Sequence, residues 1–179
     1  ISAIDNAYSV MHKKTLSVTT VNSVLKNDLS PSGAVLTAVK KTNPSNGTLT
    51  FNSNGSFSYT PTATFFGSTS FTYQAFDGTN YSNTATVTIT VGNTNPVITF
   101  PGNKSTSEGS SFTLAISATD ADLDTLTYSA AQLPAGLSIN ASTGVISGTP
   151  TSHSGGTYST SVTITDGFGG TASTAFTIS

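Results

Sequence analysis

Half of the acidic residues in this chain lie in two short segments of its second half. Asp120, Asp122 and Asp124 are separated by single apolar residues, and Asp166 directly precedes a glycine. Carboxylates held within about 5 Å of one another repel, which raises their pKa values or separates the loops unless a cation lies between them. Calcium accepts about six to eight oxygens from carboxylates, amides and carbonyls with tolerant geometry, so these residues suit Ca²⁺ better than zinc or magnesium.

Alternating apolar residues predict the β-strands that position these loops. One strand in each half shows the pattern clearly, with Ala85, Val87, Ile89 and Val91 in the first and Tyr158, Thr160, Val162 and Ile164 in the second. Residues 23–25 are predicted to continue an early strand beyond a bulge. Turn-forming residues separate the strands at the spacing of a sandwich, and no segment has a helical period. The sequence therefore predicts an all-β fold with two tandem β-sandwiches of about seven strands each.

The two strand patterns meet at the segment GNTNP, residues 92–96. We place the domains at residues 1–92 and 93–179, with this segment as the linker. Pro96 has a restricted φ and biases Asn95 toward an extended conformation. If the strands of the second domain alternate in direction from the linker, both acidic loops lie at the same end as Asn93 and Asn95. The alternative is that residues 120–124 form a solvated turn and Asp166 begins an ordinary loop.

Two sets of motifs carry a family resemblance that covers nearly the whole chain. The first half, with NGSFSYTP at residues 54–61 and DG at residues 77–78, resembles the bacterial cadherin-like repeat of large surface proteins. The second half, with ATDAD at residues 118–122, LPAGLSI at residues 133–139 and SGTP at residues 147–150, resembles the dystroglycan-type cadherin-like, or Ig-like, domain. The resemblance implies two Ig-like (cadherin-like) Greek-key sandwiches that serve as stalk or adhesion modules.

The resemblance also implies a calcium ligand set. In cadherins the matching positions bind calcium at the junction between domains, and here they are Asn93, Asn95, Asp120, Asp122 and Asp166. Asp124 is a weaker candidate, because the alternation of the segment directs its side chain toward solvent. We expect one calcium ion at the joint between the two domains.

The composition excludes several classes of function. The chain has six Lys, no Arg and a net charge of -2, so it carries neither a nucleic-acid footprint nor a basic patch for a membrane surface. No apolar run approaches the length of a membrane span, so we expect no membrane insertion. The absence of Cys excludes a disulfide framework or a thiolate site. Neither His12 nor His153 has a plausible triad partner, and acids two residues apart do not form a glycosidase pair, so we expect no enzyme.

These observations lead to one expected function and two alternatives. We expect a structural or adhesive module of a large extracellular or cell-surface protein, stiffened by calcium, with neighbouring repeats of the same parent chain as its partners. The first alternative is a calcium-dependent module that binds a surface polysaccharide. The second is a subunit of an extracellular filament, in which like molecules add strands at sheet edges that carry few charges.

Overall fold

The alternating segments form two β-sandwiches in the computed structural model, which describes residues 1–153 and 155–179. The chain divides into two compact units, Ile1–Gly92 and Asn93–Ser179. Each unit has its own apolar core. The predicted all-β fold class is confirmed.

The first domain contains seven strands in two sheets. They are β1 (Asn6–Met11), β2 (Leu16–Val18), β3 (Thr37–Lys40), β4 (Gly47–Phe51), β5 (Phe57–Pro61), β6 (Gly67–Phe76) and β7 (Tyr81–Gly92). One sheet has the order β1-β7-β6-β3 and the other the order β2-β5-β4. Phe57, Tyr59, Phe71, Tyr73 and Ile89 are among the buried residues between the sheets. Strand β3 pairs with β6 in one sheet and β2 pairs with β5 in the other, so the chain crosses between the sheets after β1, β2, β3 and β5, as in the predicted Greek key.

Strand β1 pairs with β7 in parallel, whereas the other strand pairs of this domain are antiparallel. The parallel register runs over six residue pairs, from Asn6 opposite Val87 to Met11 opposite Gly92. The first strand of the domain is thereby hydrogen-bonded alongside its last strand.

The prediction of a strand at residues 23–25 is wrong. Two short 3-10 helices, Thr20–Asn22 and Val24–Asn27, occupy this part of the chain. Ser23 and Val24 are both buried, and successive residues of a strand that is exposed on one face would point to opposite sides. The Val24 N–H donates to the Gly55 carbonyl at 3.1 Å, so the turn is attached to the β4–β5 hairpin.

A buried tyrosine attaches the chain start to this turn. The Tyr73 hydroxyl lies 2.9 Å from Asp28 Oδ1 and 2.9 Å from the Val24 carbonyl, while the Ile4 N–H donates to Asp28 Oδ1 at 2.8 Å. Burial raises the pKa of Asp28, although the hydrogen bonds from Ile4 and Tyr73 oppose that shift. Burial and the neighbouring Asp28 raise the pKa of Tyr73, so its hydroxyl remains a proton donor.

The second domain contains eight strands. They are β8 (Val97–Ile98), β9 (Phe112–Ala115), β10 (Ala118–Thr119), β11 (Thr127–Ala131), β12 (Leu137–Ile139), β13 (Val145–Gly148), β14 (Tyr158–Thr165) and β15 (Thr171–Ile178). They form sheets of order β11-β14-β15 and β12-β13-β9, with β8 and β10 as a separate pair. The core contains Ile146, Val162, Ile164, Phe176 and Ile178. A parallel bridge, Lys104 with Ile178, and three backbone hydrogen bonds join residues 104–106 to the end of β15 and the residue after it.

Two glycines lie where the LPAGLSI and SGTP motifs meet. Gly136 has φ +94 and Gly148 has φ +142, which are conformations that favour glycine. A Cβ at Gly136 would overlap the Thr149 carbonyl, and one at Gly148 would overlap the Gly136 carbonyl. The two motifs therefore meet at a backbone contact with no room for side chains.

Candidate metal centre

Three segments of the second domain bring oxygen atoms to one end of it. Asp120 directly follows β10, and Asp166 directly follows β14. Strand β10 pairs with β8 in the antiparallel direction, with Thr119 opposite Val97. Because Val97 is the first residue of β8, this pairing places the loop after β10 beside residues 93–96. The sequence analysis predicted this proximity from the same assumption, that the strands of the second domain alternate in direction from the linker.

The loop at residues 120–124 is organised by its first carboxylate. The N–H groups of Asp122 and Asp124 donate to Asp120 Oδ1 at 2.9 and 3.2 Å. Leu123 has φ +59 and is 82% exposed. The loop therefore folds around the Asp120 carboxylate instead of continuing as a strand, and Asp122 and Asp124 are both buried, at 5% and 8% exposure. The expectation that Asp124 points to solvent is therefore wrong, because it assumed an extended backbone.

Asp166 is the most deeply buried acid of the group, at 2% exposure. Its Oδ1 accepts the N–H groups of Phe168 and Gly170 at 2.7 and 2.9 Å, and its Oδ2 accepts the Asn93 amide at 2.7 Å. Burial acts to raise the pKa of Asp166, but these hydrogen bonds outweigh it and the pKa is lowered. The carboxylate is therefore charged at neutral pH.

One carboxylate oxygen from each of Asp120, Asp124 and Asp166 lies within 4.8 Å of the other two. Calcium binds oxygen at about 2.3–2.6 Å, so two ligands on opposite sides of one ion are separated by about 5 Å. Among the residues that the structure describes, the buried Asn93 Oδ1 and Asp120 Oδ2 accept no hydrogen bond. Carboxylate and amide oxygens are hard ligands. The cluster therefore fits a calcium ion in both spacing and donor type.

The predicted residues occupy different positions relative to this cluster. Asn93 is attached to it through Asp166, whereas Asp122 Oδ2 accepts the N–H of Thr94 at 2.7 Å. Asn95 is exposed. One Asp122 oxygen also lies within 4.8 Å of an Asp124 oxygen. The structure thus brings Asp120, Asp124 and Asp166 together, with Asp122 beside Asp124 and bonded to the chain after Asn93. The role of each residue as a calcium ligand stays a prediction.

Sequence reasoning missed two residues that shape the site through their backbones. Thr94 donates its N–H to Asp122, and Gly170 donates its N–H to Asp166. A Cβ at Gly170 would overlap Asp166 Oδ2 and approach Asn93 Nδ2 to 2.9 Å. The glycine pair at residues 169–170 was the available signal for Gly170, whereas nothing in the side chain of Thr94 indicates its role.

Each domain matches a different family model. Residues 2–90 match the family described as Bacterial Ig domain, and residues 95–179 match the family described as Putative Ig domain. These matches confirm the predicted tandem of Ig-like repeats. Ig-like domain families are generally non-catalytic, and bacterial Ig domains are typically exposed at a surface. No curated protein matches the chain.

Several solved structures are similar to the chain at low identity. An endo-fucoidan hydrolase from glycoside hydrolase family 107 is 24% identical over 98% of this chain and 28% of that chain, with a TM-score of 0.39. Human CDH23 EC21-23 is 15% identical over 98% of this chain and 66% of that chain, with a TM-score of 0.43. The chain spans 17% to 28% of the first glycosidase chains that it matches. In the described part of the chain, no helix has the length and apolar character needed to cross a membrane.

Proposed function

We propose that this chain, a tandem of two Ig-like domains, is a non-catalytic structural or adhesive module of an extracellular surface protein, and that one calcium ion stiffens it. The observation that supports calcium most strongly is the cluster of Asp120, Asp124 and Asp166 oxygens within 4.8 Å of one another, with the buried Asn93 Oδ1 beside it. The family matches support the structural role. The neighbouring repeats of the parent chain are its proposed partners.

The proposed ion binds the Asp120, Asp124 and Asp166 carboxylates together with the Asn93 amide oxygen. Two unit charges 4.8 Å apart repel by about 3 kcal/mol at an effective dielectric constant of about 20. A divalent cation bound between the carboxylates attracts each of them and so offsets this repulsion. Asp122 and Asn95 lie on the same two segments and complete the proposed ligand set.

The stiffening follows from the position of Asn93 and Thr94, which come directly after the last residue of the first domain. The Asn93 amide contacts Asp166, and the Thr94 N–H contacts Asp122. A calcium ion bound to the acidic loops therefore holds the start of the second domain in its ordered conformation. Calcium binds this conformation in preference to a flexible one, and this difference in affinity shifts the equilibrium toward it.

The proposal is tested by calorimetry of the full chain with calcium and with a chelator. Extracellular modules bind calcium with Kd values of about 10⁻⁴ to 10⁻³ M. At ten times Kd, binding stabilises the folded state by about 1.4 kcal/mol, which corresponds to about 5 °C or more for a domain of this size. We expect this increase in the wild type and its loss in Asp120→Asn.

Glu108→Gln is the matched control, because it removes the same charge from the second domain at a residue outside the cluster. It should keep the calcium response of the wild type. An equal response in Asp120→Asn and Glu108→Gln would contradict the proposed site. Small-angle scattering of the same samples tests the stiffening, since calcium should narrow the distance distribution of the wild type and leave that of Asp120→Asn unchanged.

A further inference from the structure

The first domain has an open groove between the edges of its two sheets. Strands β1 and β2 each lie at the end of their sheet order, so each pairs with a strand on one side only. The space between them has a volume of about 790 Å³ and is also lined by Asn22, Ser23, Lys26 and Asn27, from the two 3-10 helices and the residue between them. Small-molecule sites commonly have volumes of about 300–1,000 Å³. The groove is therefore large enough for a ligand of several rings.

The lining of the groove combines polar groups with a comparable area of apolar surface. Its side-chain amides and hydroxyls come from Asn6, Asn22, Asn27, Ser17 and Thr19, and its apolar side chains from Tyr8, Leu16 and Val18. One carboxylate, Asp5, and one ammonium, Lys26, balance each other in charge. A ligand of strong net charge finds no excess of opposite charge here. The lining thus favours a neutral ligand with many hydroxyl groups and apolar C–H faces.

Hydrogen bonds hold the polar groups of the groove in place. Asn6 Nδ2 donates to Asn27 Oδ1 at 3.0 Å, and Asn27 Nδ2 donates to the Asp5 carbonyl at 3.2 Å. Lys26 Nζ donates to Asn22 Oδ1 at 3.3 Å. Ordered side chains lose little conformational entropy when a ligand binds.

Asn22 and Tyr8 provide a polar group and an apolar surface side by side. The Tyr8 hydroxyl donates to the Asn22 carbonyl at 2.8 Å, and the Tyr8 ring packs edge-on against Phe57 with centroids 5.1 Å apart. Among the described residues, Asn22 Nδ2 has no hydrogen-bond acceptor. It is therefore available to a ligand hydroxyl, next to the apolar surface of Tyr8.

We propose that this groove is a binding site for a neutral oligosaccharide. Sugar hydroxyls both donate and accept hydrogen bonds, as the Asn amides and the Ser and Thr hydroxyls also do. The C–H face of a sugar ring packs on an aromatic or aliphatic side chain, which Tyr8 and Leu16 supply. The site lies in the first domain, so it is separate from the acidic cluster and does not need calcium.

The test is a titration of the full chain with neutral hexasaccharides, followed by NMR. The probes are hexamers of β-1,4-glucose, β-1,3-glucose, α-1,4-glucose, β-1,4-mannose and β-1,4-xylose, with a hexamer of uronic acid as the anionic comparison. We expect at least one neutral probe to bind with a Kd of about 1 mM or lower. The signals that shift should include those of Asn22 and Tyr8, and chelation of calcium should leave Kd unchanged.

Two substitutions to tyrosine test the location. Ser17 is exposed on β2 and lines the groove, so Ser17→Tyr should weaken binding at least tenfold. Thr50 is exposed on β4, the opposite edge of the same sheet, so Thr50→Tyr should leave Kd unchanged. Asn22→Ala removes the amide group, including the Nδ2 that has no acceptor, without adding volume. If Ser17→Tyr fails to fold, a Kd at least threefold higher in Asn22→Ala is the required result.

Three outcomes would overturn the proposal. They are the absence of shifts with every neutral probe up to about 10 mM, equal affinities in the wild type and the groove variants, and tighter binding of the uronic acid hexamer than of any neutral probe. Loss of neutral-sugar binding on chelation would also overturn it, because the site would then depend on the second domain. The calcium response of the wild type is measured separately, so either proposal can fail without the other.

Discussion

The two domains differ in how they stabilise carboxylates that are partly or fully removed from solvent. In the first domain Asp28 is a single acid whose oxygens receive the Ile4 N–H and the Tyr73 hydroxyl. In the second domain Asp120, Asp124 and Asp166 have oxygens within 4.8 Å of one another. A single acid can be stabilised by hydrogen-bond donors alone. Three adjacent acids repel one another, and a cation removes this repulsion more effectively than N–H groups do.

The pKa values of Asp28 and Asp166 also shift in opposite directions. Burial raises the pKa of Asp28 despite its two donors. Asp166 is buried too, but the Asn93 amide and two backbone N–H groups lower its pKa. The environment of Asp28 therefore favours the protonated acid, whereas the environment of Asp166 favours the charged carboxylate. A charged carboxylate is what a metal ligand requires.

The largest expected effect comes from Gly170→Ala. The added Cβ overlaps Asp166 Oδ2, so the carboxylate must move away from the N–H of Phe168 and from Asn93. We expect the second domain to lose about 3 kcal/mol of unfolding free energy, which is the upper range for overpacking, together with its calcium response. Chemical denaturation with and without calcium measures both quantities.

Gly169→Ala is the control for this substitution. Gly169 has φ +89, but a Cβ there meets no atom of the described chain within 4 Å. It should cost about 1 kcal/mol of backbone strain and leave the calcium response intact. Loss of the calcium response in both variants would show that loop strain alone disrupts the site and would contradict the role assigned to Gly170.

Tyr73→Phe should have the next largest effect, and in the first domain. It removes the hydroxyl that contacts Asp28 and the Val24 carbonyl, so a partly buried carboxylate loses a donor. We expect a loss of about 2 kcal/mol in the unfolding free energy of the first domain. Tyr81→Phe removes a hydroxyl from an exposed side chain and should change stability by less than about 0.5 kcal/mol. Equal losses of unfolding free energy in Tyr73→Phe and Tyr81→Phe would contradict the role assigned to the contact between Tyr73 and Asp28.

The smallest expected effect is a pH dependence that originates at Asp28. Because its pKa is raised in the folded state, the folded domain binds a proton more tightly than the unfolded chain. This stabilisation is fully present below the ordinary Asp pKa of about 4 and is lost as pH rises through the raised value. The wild type minus Asp28→Asn difference in unfolding free energy should therefore decrease as pH rises, in urea titrations at several pH values. A difference that grows with pH would reverse the assigned direction.

The fold was largely predictable from the sequence because its long strands alternate cleanly. Strand β14 shows every second side chain buried from Thr160 to Ile164, as its sequence pattern predicts. Residues 23–25 misled the prediction because a short apolar segment is compatible with both a strand and a 3-10 turn. Only the tertiary contact of Val24 with Gly55 distinguishes the two.

The sequence predicted which acidic residues belong to the candidate site, but it did not predict the backbone conformation and backbone donors of the site. The spacing of Asp120, Asp122 and Asp124 indicated an oxygen cluster, but it did not indicate the left-handed conformation of Leu123 or the burial of Asp124. Thr94 contributes an N–H group, which every residue except proline possesses. Side-chain identity therefore predicts the chemistry of such a site, while local backbone geometry selects the residues that take part.

The parallel pairing of β1 with β7 has a mechanical consequence. Tension along the chain enters the first domain before β1 and leaves it after β7, so it pulls these two strands past each other and loads their hydrogen bonds together. Six residue pairs share that shear load in the first domain. In the second domain the corresponding parallel contact is shorter, with three backbone hydrogen bonds between residues 104–106 and 177–179. Under a stretching force the second domain should rupture first, while the first still bears the load.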